Sequence, residues 1–163
     1  MADLYSSILV PIELDDPLLL VLAFAKQLAV DRHATLHLLH VVPTLPSFGE
    51  PNVSENEHSP AEEKAHGLLD EIAKAHLEGS QYQIHTASAV PRALGKAIVR
   101  VAGEVEANLI VLKTHGRRGL SRFILGSVAE EILHTAPCAV LTFSPEAQEK
   151  AARADSGTEV RGA

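Results

Sequence analysis

Four cations, Lys113, Arg117, Arg118 and Arg122, fall within ten consecutive positions that hold no carboxylate. The same stretch contains Thr114-His115-Gly116, and after nine further residues comes Gly126-Ser127-Val128. Residues of these types can bind an anion. Glycine lets a backbone approach a ligand closely. The first N–H groups of a helix have no partner within the helix and sit at the positive end of its dipole. A helix opening at Gly126-Ser127 would therefore offer the N–H groups of Ser127 and Val128 to a phosphate, with Lys113 and Arg117 adding charge. The competing reading of Ser127 is a capping box, Ser127 as N-cap and Glu130 at the third helical position. Gly116 at its spacing, and the cations around it, favour phosphate. His115 either assists chemistry on that phosphate or hydrogen-bonds the loop backbone.

These residues need elements to hold them. Positions 108–113 read as a buried strand that ends at Lys113, and 138–143 as another, with the loop and a helix between them. Upstream, SILVPI at 7–12 is a short apolar run, read as the first buried strand. Glu13, Asp15 and Asp16 follow at once, and Asp16-Pro17 is a helix-start signal for a helix running to about position 30. Acidic residues after a first strand are candidate ribose or metal contacts; the plainer role for Asp16 is as the cap. A second strand at 35–42 carries His37 and His40, which three-residue spacing puts on opposite faces, so they cannot form a local metal pair. Both are expected to be ordinary sheet-surface histidines.

Positions 43–59 form a Pro-, Ser-, Asn- and Glu-rich loop, read as mobile rather than as a lid. Ser59-Pro60-Ala61-Glu62 restarts helix with a capping box. An apolar stripe through Leu68, Leu69, Ile72, Ala73 and Leu77 marks its core face, and Gly79 stops it. Positions 82–88 alternate as a partly exposed third strand. Val90-Pro91 opens a further helix with Leu94, Ile98, Val101, Ala102 and Val105 on one face. The expected fold is α/β, a five-stranded parallel sheet with helices on both faces, formed by residues 1–144; a ligand crevice between strands one and four gives it the order 3-2-1-4-5. Residues 145–163 are polar and charge-rich and are expected to be a disordered tail.

Composition narrows the function. A formal charge of −7 argues against general nucleic-acid binding. No apolar run is long enough to span a bilayer. The lone Cys138 suits a reducing compartment, and the opening MADLYSS carries no basic segment ahead of a long apolar run, so a cytoplasmic protein is expected. There is no GxxxxGK[ST] loop, no GxGxxG, no zinc spacing and no GxSxG elbow. The HxGH and SGGxDS loops of adenylyl-transferring enzymes are also missing. The strand at 138–143 is short, apolar and expected at an edge without guarding charges, so it is a site of self-association.

Thr114-His115-Gly116 followed at nine residues by Gly126-Ser127 resembles the nucleotide loop of universal stress proteins, Gly-x-x-Gly-x9-Gly-Ser/Thr. The resemblance extends over about 7–143 and implies the adenine nucleotide alpha hydrolase-like fold. It implies ATP (or AMP or ADP, with Mg alongside) bound at Pro11, Glu13, Val41, Lys113, Thr114, His115, Gly116, Arg117, Gly126, Ser127 and Val128. In that scheme the Val41 backbone meets the adenine base. It also implies a homodimer through 138–143 and a regulatory role without efficient turnover. The sequence departs from the family at Ala89, where a glycine usually precedes the x-Pro pair, and at two positions of the site. Lys113 stands where the family has its first glycine, and Glu13 where it has an aspartate. The alternative reading is a dimeric interaction protein that binds no nucleotide because these two residues compromise the site.

Overall fold

The computed structural model describes residues 5–15, 20–45, 59–113 and 126–143. Its elements are β1 (Ser7–Pro11), α1 (Leu20–Arg32), β2 (Thr35–Pro43), α2 (Pro60–His76), β3 (Gln81–Ala89), α3 (Leu94–Glu104), β4 (Leu109–Lys113), α4 (Ser127–Thr135) and β5 (Ala139–Phe143). A short 3-10 turn, Pro91–Ala93, leads into α3. The five strands form one sheet in the order β3-β2-β1-β4-β5, and every neighbouring pair is parallel. This is the topology expected from the sequence.

The central strands are apolar without interruption because both their faces are covered. Ile8, Leu9 and Val10 of β1 and Ile110 and Val111 of β4 are all 0% exposed. Alternation then sorts the side chains to two layers. Ile8, Val10, Leu36 and Leu38 pack with Val21, Leu22 and Ala25 of α1 and Leu69 and Ala73 of α2. Leu9, Leu39, Ile110 and Leu112 pack with Ile98, Val101 and Ala102 of α3 and Ala129 and Ile132 of α4.

The start of α2 follows the sequence signal. Ser59 Oγ accepts from the Glu62 N–H at 3.2 Å, and the Glu62 carboxylate accepts from the Ser59 N–H at 2.8 Å. Gly79, at φ 80°, takes the left-handed turn after the helix that a residue with a Cβ disfavours. Within the expected stripe, Leu69, Ala73 and Leu77 are buried, whereas Leu68 lies on the exposed side. Helix α1 runs to Arg32, slightly past its expected end, and its expected cap at Asp16-Pro17 falls outside the described residues. So do 46–58 of the long loop and the tail from 144 onward.

One expectation is overturned. His37 is not a surface histidine: it is 6% exposed, and its Nδ1 lies 3.0 Å from Nε2 of His85. The reason is topological. β2 is an interior strand between β1 and β3, so a side chain on either face meets a helix layer rather than water. A buried imidazole needs a hydrogen-bond partner, and β3 supplies one.

Candidate nucleotide site

The chain leaves β1 to pair β2 on one side, then crosses through α3 to place β4 on the other. The carboxyl ends of β1 and β4 thus flank the point where strand order reverses, where open α/β sheets bind ligands. The two strands part there. β1 and β4 share only the pairs Ile8–Leu109 and Leu9–Ile110, while β4 and β5 stay in register through Lys113–Phe143.

Pro11 helps to open this crevice. The Ser7 carbonyl accepts from the Asn108 N–H at 2.8 Å, so Ser7 directs its backbone groups at β4. Two-residue alternation gives Leu9 and Pro11 the same direction. Proline has no N–H, so the next bond toward β4 cannot form. Glu13, two residues on, is exposed at the rim. Lys113, the last residue of β4, is half-buried on the other side of the crevice.

Helix α4 begins where the sequence places it, but with a different cap. Gly126 is the N-cap, at φ −61° and ψ 152°, and Ser127 is the first helical residue. The Gly126 carbonyl accepts the first helical bond from the Glu130 N–H at 2.9 Å. The expected Ser127–Glu130 capping box is therefore not formed, and no side chain among the described residues caps this helix. A serine at the first helical position has its hydroxyl beyond the reach of the third-residue N–H that an N-cap side chain serves. The first-turn N–H groups, Ser127 and Val128 among them, keep their capacity for an outside acceptor. Gly126 is at a φ that any residue adopts, and a Cβ built there meets nothing within 4 Å among the described residues. Neither backbone strain nor packing against the described residues calls for glycine here. Approach of a ligand would.

At the end of β2, Val41 is half-buried against the α3–α4 layer. Beside it, His40 Nδ1 lies 2.8 Å from the Ile12 carbonyl. A carbonyl only accepts, so Nδ1 carries the proton and donates. From the sequence His40 is expected to be only an ordinary sheet-surface histidine; its place beside Val41 at a strand's carboxyl end was the available signal for this bond. The structure thus brings Pro11, Glu13, Val41, Lys113, Gly126, Ser127 and Val128 to the carboxyl edge of the sheet. Thr114, His115, Gly116 and Arg117, with Arg118 and Arg122, lie outside the described residues.

Other polar groups are less suited to chemistry. A cleft of about 230 Å³ opens at the β3 edge between His66 of α2, His85 and Thr86 of β3, and Arg100 and Glu104 of α3. Its arginine is already engaged, Arg100 Nη1 to Glu104 Oε1 at 2.6 Å. Burial raises the pKa of the Cys138 thiol, which keeps it protonated and a poor nucleophile. Among the described residues no group of three or more His, Cys, Asp or Glu is arranged to hold a metal ion. No helix among them is long and apolar enough to cross a membrane.

Known proteins share this chain's sequence pattern and its fold. The sequence profile of the universal stress protein family matches residues 4–144. Universal stress protein A homolog 1 of Coxiella burnetii is 33% identical over 142 residues, covering 84% of this chain and 94% of the relative. Among solved structures, a universal stress protein in complex with cAMP superposes with a TM-score of 0.60 at 20% identity, covering 86% of this chain and 97% of that one. The universal stress protein from Archaeoglobus fulgidus in complex with dAMP superposes at 0.52 with 24% identity, covering 85% and 98%. The profile match, the Coxiella relative and the shared topology agree, and the chain belongs to the universal stress protein family.

Proposed function

We propose that this protein is a regulatory module that binds an adenine nucleotide, ATP in the first place, in the crevice between β1 and β4, and does not turn it over efficiently. The observation that carries this reading is the start of α4. A helix N-terminus that no side chain among the described residues caps, opened by a glycine that neither φ nor packing against those residues requires, stands at the carboxyl edge of the sheet where β1 and β4 have separated. That arrangement suits a phosphate. The family resemblance supplies the base and ribose ends, at Val41 and Glu13. The cAMP and dAMP complexes of the two structural neighbours support an adenine ligand. The carboxylate of Glu13 would meet the ribose or a magnesium ion; the ion would arrive with the nucleotide, held by phosphate oxygens and water, with one or two protein carboxylates completing its shell. Abundant ATP and reducing conditions make the cytoplasm the natural setting, consistent with the single thiol.

Lys113 is the test position. Its stem either lies across the crevice and obstructs the adenosine or swings out to the phosphates, where an ammonium gains Coulomb energy even when partly screened. A ligand that binds only the folded state stabilises it by RT ln(1 + [L]/Kd), about 2.7 kcal/mol at a hundredfold excess. Thermal scans of the wild type and Lys113→Gly, with and without Mg-ATP, should show a shift in both proteins. A larger shift in Lys113→Gly means that the lysine obstructs; a smaller one means that it contacts phosphate. No shift in either would end the nucleotide reading.

We further propose that the module is a homodimer through β5. The strand lies at the sheet edge beside β4, with Val140 and Leu141 half-buried in the single chain. An apolar edge without guarding charges pairs with its own copy across a two-fold axis. Val140→Lys should give monomers by light scattering, and an unchanged mass would move the interface elsewhere.

A further inference from the structure

The end of the β1–β2 ladder contains a substitution of one donor for another. The Thr35 N–H bonds the Ser6 carbonyl at 2.9 Å, and the Ile12 N–H bonds the Leu39 carbonyl at 2.7 Å. The backbone groups of Thr35, His37, Leu39 and, by the same alternation, Val41 therefore face β1. The Thr44 N–H bonds the Ala89 carbonyl at 2.9 Å, which puts the even positions toward β3 and agrees with this phase. In a regular parallel ladder the next rung would run from the Val41 N–H to the Ile12 carbonyl. Among the described residues that rung is not made. Instead the Ile12 carbonyl takes the His40 Nδ1–H at 2.8 Å.

We propose that His40 is a positioning residue for the nucleotide site: by donating to the Ile12 carbonyl it replaces the last rung of the ladder and leaves the Val41 N–H directed into the crevice as a donor for the edge of the base. This rests on the nucleotide reading above and extends it. A polar carbonyl at a strand end needs a donor, and the nearest backbone donor is Val41. Satisfying that carbonyl from a side chain is what frees the backbone group. The consequence is selectivity. A fixed N–H donor matches the N1 acceptor of adenine, whereas guanine presents its own N–H at that position, and the two donors would oppose each other. A buried donor left without an acceptor discriminates strongly against the wrong base.

The test uses the whole protein and reads the Val41 amide directly. Asparagine places a side-chain nitrogen about where Nδ1 stands and can keep the bond, so His40→Asn is the conservative variant. His40→Leu keeps bulk and removes the donor. Amide hydrogen exchange of the nucleotide-free protein should show Val41 exchanging fast in the wild type and in His40→Asn. In His40→Leu it should slow by about tenfold or more, as the Val41 N–H closes on the Ile12 carbonyl. ATP affinity should fall about tenfold in His40→Leu, the worth of one hydrogen bond, and the preference for ATP over GTP should narrow; His40→Asn should restore both. Unchanged exchange at Leu38 and Leu39 would show that β2 is intact. A Val41 amide already protected in the nucleotide-free wild type overturns the proposal, as does a His40→Leu variant with wild-type exchange and affinity. The exchange pattern appearing without any ATP binding would sustain the replaced rung and bring down the nucleotide reading instead.

Discussion

Gly126→Val should abolish ATP-induced stabilisation, while Gly126→Ser should weaken ATP binding and at the same time make the free protein slightly more stable. The opposite signs in the second variant are the informative part. The backbone at Gly126, φ −61° and ψ 152°, is open to any residue, and its Cβ direction meets nothing within 4 Å among the described residues. Valine therefore meets no clash with the described residues, and its cost to the free protein is the poor N-cap character of a branched apolar side chain, about 1 kcal/mol. Its effect on a phosphate is larger, because two methyl groups would stand where the ligand must approach the N–H groups of Ser127 and Val128. A loss of hundredfold or more in Kd is expected, about 2.8 kcal/mol. Serine acts differently. Its hydroxyl caps a first-turn N–H, which stabilises α4 by a few tenths of a kcal/mol relative to glycine. The same hydroxyl competes with the phosphate for that donor. Denaturant midpoints and ATP titrations on the three proteins check both effects. If both variants bind ATP as the wild type does, phosphate does not sit on this helix.

The parallel sheet was legible in the sequence because its inner strands are buried on both faces, so β1, β2 and β4 appear as nearly continuous apolar runs. The alternation of strand and helix made the sheet parallel, whereas the order rested on placing a ligand crevice between strands one and four, as the universal stress proteins have it. For the candidate site, what the sequence made legible is placement: Pro11, Lys113 and Gly126 lie at the strand or helix ends expected of them. Its finer geometry was not legible. The pattern Ser127-x-x-Glu130 makes a capping box only if Ser127 is the N-cap, and the sequence does not exclude Gly126 in that place, because glycine also serves as an N-cap. The three-dimensional structure settles on Gly126. The histidines show a second limit. Spacing correctly sends His37 and His40 to opposite faces, but it does not say what covers each face. That depends on which strands flank β2 and on the register of β3, set by a connection through a loop and α2 whose length does not encode register. His85 meets His37 because Leu39 pairs His85, which puts the two imidazoles one diagonal step apart on the same face.

That buried pair gives the second large expected effect, a loss of stability in mild acid. The His37 imidazole is held down to about 4 from an ordinary 6.5, first by desolvation and then by the charge of His85. His85 is also lowered by burial, an effect opposed by Glu104 and reinforced by His66. The geometry agrees: two ring nitrogens 3.0 Å apart need one bare lone pair between them, so the doubly protonated pair cannot keep its bond. In the unfolded chain His37 takes up a proton near pH 6.5, while in the folded protein it stays neutral until about pH 4. The unfolded state thus binds more protons between these values, and stability falls as pH drops through 6.5 and levels off below about 4. At pH 5 the loss from His37 is about 2 kcal/mol, before most carboxylates titrate, and the limit is about 3 kcal/mol. Urea unfolding at pH 7.5 and pH 5 should show this difference in the wild type. His37→Asn keeps a side-chain nitrogen near the Nδ1 position without a titrating ring, and it should lose far less over the same interval. An equal loss in both proteins would assign the proton uptake to another histidine and leave the His37–His85 contact without a role in acid sensitivity.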